Sequence, residues 1–503
     1  MMSRELPARP NLDHLKKQAK ELLQRFREGD SAAVELFRSF GSSNAPKLAD
    51  AQHAVAREYG FETWPQLKER VQSLSADPYD AFVAAIKSDN VARAATLLRE
   101  NAELKARINE PLQDRFGATL LMVAVQHANR NLIELLLRHG ADINQRSDWW
   151  AGSFGAMDDA WCADWLPAFL MGHGAKLDVH AAARLGMLDE LKAMISADPA
   201  LVQARGGDGQ TPLHFAQSIE AAEYLLAHGA DIDARDVDHE STPAQYMVRG
   251  RQDVARYLVQ RGCRADILMA AALGDTDLVR KYLDSDPASI RTSVSDEFFP
   301  RQYERAGGTI YIWTLGKNKT AHIIAREFHH EEIFRLLMER SPDELKLAQA
   351  CELGDEPTFK ALLARNPNLA KTLTEDDRRK LVNAAEANNL EAVRLLLEAG
   401  WPVDARTQGG ITALHWAGFH GNVELIRVLL HCRPPIDATD LAYKATPLGW
   451  AFYGSVNGWR RDAGDFAASV EALLNAGAKL PPKAGEHASP AVREFLRQRS
   501  QRS

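Results

Sequence analysis

At 503 residues, with 45% hydrophobic and 26% charged side chains, the chain has the bulk and balance of a soluble globular protein of roughly three ordinary domains. A formal charge of −7 excludes a general electrostatic attraction to nucleic acid or anionic lipid. The four cysteines are isolated, the start has no apolar leader core and no run of about 18 apolar residues occurs, so a cytoplasmic protein without a membrane span is expected.

Residues 1–76 read as a helical cap. Leu12, Leu15, Ala19, Leu22, Leu23 and Phe26 form one apolar helical stripe. Further helices are expected over 31–40, 47–59 and 64–74, the last opened by Thr63-Trp64-Pro65. Ala56-Arg57-Glu58-Tyr59-Gly60 would also suit a helix-turn-helix crossing. The helix after it, however, carries Glu62 and Glu69 against only Lys68 and Arg70, so no nucleic-acid partner is expected.

From residue 77 the chain repeats itself. Lines beginning at Gly117 and Gly410 each read as two short helices and a turn. The first helix brings a small residue to its packed face, Ala124 or Ala417. The second carries an apolar stripe, Leu132, Leu135 and Leu136 or Leu425, Val428 and Leu429. The same grammar returns from Gln210, Val382 and Ala445. A second flavour places Asp-Pro or Asn-Pro twelve residues after Gly186, Gly274 and Gly354. The chain is short before these three units: Gly174 to Gly186 and Gly262 to Gly274 each span twelve residues. The loop between those repeats must be missing.

Thr211-Pro212-Leu213-His214, with the Gly-Ala-Asp turn that trails it, resembles the ankyrin repeat, whose period is about 33 residues. The resemblance implies an all-α solenoid of about twelve helix pairs over 77–482, behind the 1–76 cap and followed by a capping helix and tail over 483–503. The leader segments themselves resemble those of uncharacterised bacterial ankyrin proteins. In such repeats His214 and His415 would tie neighbouring turns, and a protein partner would lie on the concave face built by the fingers and first helices.

Three aromatic-rich departures fall on that face. One runs from Trp149 to Trp165 and includes Trp149, Trp150, Trp161 and Trp165, with Asp158 and Asp159 between them. A second is an enlarged finger between Ser295 and His322. Its Gly307-Gly308 turn and alternating Ile310/Ile312 and Tyr311/Trp313 read as a hairpin. The last is the final repeat, where Thr446 to Gly477 spans 32 positions instead of 22 and adds Trp450, Tyr453 and Trp459 to Trp416, Phe419 and His420. These rings suit a binding hot spot or, equally, fill a stack that lacks three of its turns.

Chemistry has less support. Asp158, Asp159 and His420 are the catalytic candidates, but adjacent helical carboxylates diverge by about 100°. No nucleophile elbow, phosphate loop or dinucleotide fingerprint occurs. His322, His329 and His330 lack converging metal-ligand spacing, so neither metal nor cofactor is expected. The expectation is a recognition scaffold for a protein partner. The alternative is an enzyme or small-molecule binder with an aromatic-walled pocket between the fingers.

Overall fold

The computed structural model describes residues 6, 12–39, 46–75, 77–481 and 488–502. The chain divides into two compact units, Met1–Ala197 with Arg205–Gly209, and Asp198–Ala204 with Gln210–Ser503. Every regular element among the described residues is helical, and the only β-pairing there is three isolated bridges.

The first unit opens with helices Leu12–Arg27, Ser31–Ser39, Leu48–Glu58 and Trp64–Ser75, within a residue or two of the spans expected. Their apolar stripes meet in one small core around Leu15, Ala19, Phe37, Val55, Leu67 and Val71. Helix pairs follow, beginning with Pro78–Lys87 and Val91–Glu100, then Leu120–Gln126 and Arg130–Arg138. In the second unit the pairs run from Pro212–Phe215 and Ile219–Ala227 to Pro447–Asn457 and Phe466–Asn475, and Pro490–Arg502 closes the series. A helix of seven to ten residues is too short to be stable alone, so each pair depends on burying its leucines against its neighbours.

Backbone ends are satisfied the same way from pair to pair. Asn or Asp caps the second helix, as Asn129, Asn389, Asn422 and Asp465 do with side-chain oxygens that accept from backbone N–H groups. The threonine–histidine tie is also present. Nδ1 of His415 accepts from Thr412 N at 3.1 Å, and Nε2 donates to the carbonyl of Ala445, 30 residues on, at 3.2 Å. His214 does likewise between Thr211 and Ser241. Both histidines are scaffold.

The missing loops are visible, and each gap is closed by neighbouring groups that reach across it. In the first unit only a few residues separate Gly174 from the helix Val179–Arg184. The loop that carries Trp149 therefore meets the one at Arg205–Gly209 directly. Trp149 Nε1 donates to Asp208 at 2.9 Å, and the Phe154 ring lies where a Cβ on Gly207 would stand. In the second unit the finger is missing before Ile267–Leu273, and the enlarged finger takes its place. That finger is closed at its base by the Ser293–Thr320 bridge. It folds back to the earlier loop at Asp236–Ser241, where Gly307 N donates to Asp238 O at 2.8 Å and Ile310 N to Ser241 Oγ at 3.0 Å. Before Asp343–Leu353 the span is made by Arg291, which donates to Asp377 at 2.6 Å and Glu344 at 2.9 Å.

The hairpin expectation for this finger is overturned. Ile312–Gly316 is one wide helical turn, with Trp313 and Thr314 donating back to the carbonyl of Ile310. Burial selects Ile310, Tyr311 and Leu315, a helical spacing, where a strand would have split Ile310 and Tyr311 to opposite faces. Alternating apolar residues met a gap to be filled, and a compact turn fills it better than a ladder.

Tyr311 is the keystone of that filling. Its ring packs edge-on against Phe299 at 5.3 Å, and its hydroxyl donates to Asp266, the cap of Ile267–Leu273, at 2.9 Å. Tyr311→Phe leaves Asp266 short of a partner in a half-buried place, so the second unit should lose about 1–3 kcal/mol in urea unfolding. An unchanged midpoint would show that the finger does not brace the gap.

Candidate recognition face

Helices Ala413–His420 and Pro447–Asn457 pack closely side by side in the second unit because two glycines permit it. A Cβ on Gly418 would stand 2.6 Å from the carbonyl oxygen of Pro447, and one on Gly454 would collide with that of Phe419. With the backbones this close, the large side chains are left on one edge. Trp416 and Trp450 are 34 positions apart, as are Phe419 and Tyr453, so they occupy equivalent places on successive first helices. Asn383 and Glu386 hold the same places one repeat earlier.

The result is a ladder of rings. Trp416 meets Trp450 edge-on at 5.1 Å, and Phe419 lies near-parallel to Tyr453 at 6.4 Å. Trp459, just past Gly458, lies near-parallel to Trp416 at 6.3 Å and 5.1 Å from Phe419. His420 completes the set, 6.0 Å from both Trp416 and Trp459. Trp459 is 69% exposed and Tyr453 60%, so the outer rungs face solvent. A polar underside fixes the inner ones. Trp450 Nε1 donates to Asp440 at 3.0 Å, and Asp440 also accepts from Tyr443 N and Ala445 N. Burial alone would raise the Asp440 pKa, but those hydrogen bonds hold it below the ordinary carboxylate value.

His420 is buried and neutral. Burial first, then the nearby Arg460 guanidinium, push its pKa down, while Nε2 donates to the carbonyl of Glu386 at 2.8 Å. Glu386 links the ladder to the enlarged finger, for its carboxylate takes Lys317 Nζ at 2.7 Å and Asn318 Nδ2 at 2.8 Å. Beside it runs a groove of about 570 Å³ between that finger and the helix Glu375–Glu386. Its walls are largely ion-paired within themselves, as Arg379 is with Glu297 at 2.8 Å.

The other expected residues sit elsewhere. Tyr311, expected on the binding face, is a core residue, so its ring is not open to a partner. Trp313, on the same turn, is 72% exposed. In the first unit the four tryptophans have three surroundings. Trp149 and Trp150 pack with Phe116 at the loop tips, Trp165 lies against Phe169 beneath Arg130, and Trp161 lies under Arg184. Asp158 is buried and accepts from Gly155 N at 2.6 Å and from Arg146, which also grips Asp178. Asp159 turns to Gln126, which donates to it at 2.8 Å. Burial raises the pKa of both carboxyls, yet they face different partners and form no acid/base pair.

Residues 179–269 and 347–440 match the family described as ankyrin repeats (3 copies), and residues 116–148 match a single ankyrin repeat. The chain carries ankyrin repeats. Similar curated proteins share them. The Drosophila melanogaster palmitoyltransferase Hip14 is 32% identical over 19% of this chain and 15% of its own length. The Oryza sativa E3 ubiquitin-protein ligase XB3 is 34% identical over 21% of this chain and 24% of its own. The Mus musculus B-cell lymphoma 3 protein homolog is 28% identical over 48% of each. The chain thus spans half or less of these relatives.

Some ankyrin finger residues were missed in the sequence. Phe116 has a left-handed backbone (φ 56°) and is 63% exposed at the tip of the finger before Thr119, packed on Trp149 at 4.7 Å. Leu441 and Tyr443 are exposed at the finger before Thr446. The available signal was an apolar residue a few places before the threonine that opens the next repeat. The histidines weighed as metal ligands also separate: His322 meets Ser341 Oγ at 2.8 Å, and His330 the carbonyl of Ala272 at 3.2 Å.

Burial, helped by Lys380, lowers the pKa of His322 to about 3. Its unfolded value lies near 6.5. The folded chain therefore resists protonation that the unfolded chain accepts. The stability it confers is complete above about pH 6.5 and falls by ~1.4 kcal/mol per unit as pH drops towards 3. Urea unfolding at pH 6.5 and pH 5 should show a smaller acid loss, by up to ~2 kcal/mol, in His322→Gln than in the wild type. Equal losses would contradict this.

Proposed function

We propose that the chain is a recognition scaffold whose protein partner docks on the ring ladder of Trp416, Phe419, Trp450, Tyr453 and Trp459. The face is built from first helices and their loops, the concave side of an ankyrin stack. What supports the reading is the exposure of Tyr453 and Trp459 above inner rings already held from beneath, since a pre-placed inner layer loses little entropy when a partner docks. Arg460 and Arg461 flank the ladder, and aromatic rings beside arginine are the composition of interface hot spots. The groove beside Glu386 gives the same partner a polar continuation.

The relatives agree at the level of the module. Their printed activities differ, a palmitoyltransferase in one and a ubiquitin ligase in another, while the repeats are common to them. Recognition is the property such a shared segment supplies. We place the chain in the cytoplasm on its four free cysteines, and no helix among the described residues is long and apolar enough to cross a membrane. The helices Leu12–Arg27 to Trp64–Ser75 and Pro490–Arg502 act as end caps, the latter bringing Val492 into the core of the last pairs.

The test is to pan a displayed random dodecapeptide library against the full chain. Recovered peptides should bind the Tyr453→Ala/Trp459→Ala double variant at least ~10-fold more weakly, about 1.4 kcal/mol, because hot-spot aromatics carry this much and more. The variant should melt as the wild type does, since both rings are exposed. Peptides that bind both proteins equally would overturn the assignment.

A further inference from the structure

Two buried polar atoms in the ladder have no partner among the described residues: Trp416 Nε1 and His420 Nδ1. They belong to residues four apart on one helix, whose side chains lie one above the other. Their rings are near-parallel, tilted by 23° with centroids 6.0 Å apart. His420 is only 2% exposed. Its tautomer is fixed by its other nitrogen. Nε2 faces a carbonyl, which can only accept, so Nε2 carries the proton and Nδ1 presents a lone pair. Trp416 Nε1–H can only donate. The ladder therefore holds one unused donor beside one unused acceptor, both walled by aromatic faces. Native interiors seldom leave such groups unmatched, and those that remain call for an explanation.

We propose that this pair is the seat of a primary carboxamide, the side chain of an asparagine or glutamine supplied by the protein partner. The inference rests on the docking face proposed above and names what that face selects. A carboxamide offers a C=O and an N–H on the same side of one plane, so it can accept from Trp416 and donate to His420 at once. Charged groups and the main chain fail on one count, and a hydroxyl would have to serve both rings through a single atom. A carboxylate has no N–H and meets the His420 lone pair with its own. An ammonium or guanidinium gives Trp416 nothing to donate to. A trans backbone peptide points its C=O and N–H in opposite directions.

Trp459 covers the pair. Its ring is 6.3 Å from that of Trp416 and 6.0 Å from that of His420, and it stands outside the helix on a short segment between Gly458 and Gly464. It is mostly exposed. Turning it outward uncovers the donor and the acceptor, after which it stacks over the bound carboxamide. The burial that keeps His420 neutral preserves the lone pair the seat requires.

The library panning supplies the test. Dodecapeptides that depend on Trp459 should share an asparagine or glutamine at one position. A synthetic peptide from that set, with the residue changed to methionine, should bind the wild type at least ~10-fold more weakly but Trp416→Phe less than ~3-fold more weakly, a coupling that isolates the one hydrogen bond. On the wild type, the ¹⁵N-indole resonance of Trp416 should move on adding the amide peptide and not the methionine peptide, a readout that needs no variant to fold. The carboxamide seat is overturned, and the docking face stands, if Trp459-dependent peptides share no such residue, if methionine costs both proteins equally, or if the Trp416 resonance ignores the amide. If the recovered peptides ignore Trp459→Ala, or none is recovered, the docking face fails and the seat with it.

Discussion

A helix pair of this kind cannot cover its own apolar faces, and everything else in the molecule follows from having to borrow that cover from the next pair. The tie made by Thr412, His415 and the carbonyl of Ala445 shows the borrowing at its most local, since one histidine joins the start of its own helix to the turn of the following repeat. Where a finger is absent the borrowing must reach further. The loop at Trp149 then bonds to Asp208, the enlarged finger bonds back to Asp238 and Ser241, and Arg291 grips Asp377. Each lost loop along this chain is thus matched by an oversized or re-aimed group nearby, whereas the added residues around Trp459 answer to no gap.

The same requirement separates rings that hold the stack together from rings free to bind. Tyr311 and Phe299 are consumed in bridging a gap, with the tyrosine hydroxyl spent on Asp266. The ladder of Trp416, Phe419, Trp450, Tyr453 and Trp459 bridges no gap, because a finger is present before each of its helices. Glycines bring those two helices together, and the rings, having no room between the backbones, emerge at the edge. A rigid aromatic surface is the by-product of tight helix packing. Its polar flaw, the unmatched Trp416 and His420 nitrogens, makes it selective as well as sticky.

Much of this was legible in the sequence. Helix pairs, their small and leucine-rich faces, the shortened joints after Gly174 and Gly262, and the tying histidines all depend on residue spacing, which a single chain displays. Contacts across the gaps were not legible, because they join residues such as His239 and Gly308 that lie 69 positions apart and follow no repeat period. The hairpin expected at Tyr311 failed for that reason: alternation was real, but the space it had to fill was set by a loop missing elsewhere. The candidate rings were found as a group, yet only the packing divides Tyr311 from Trp459. Phe116 escaped notice because its only signal, its place before Thr119, lies outside the buried faces that helical spacing displays.

Hydroxyl-radical footprinting of the full chain, with and without a tightly bound library-derived peptide, tests the central claim most directly. The account predicts that Trp459 and Tyr453 lose reactivity on binding, while Trp161 and Trp313, exposed but outside the ladder, keep theirs. Protection that falls on Trp161, Trp313 or the outer helices, with Trp459 and Tyr453 as reactive as before, would contradict it.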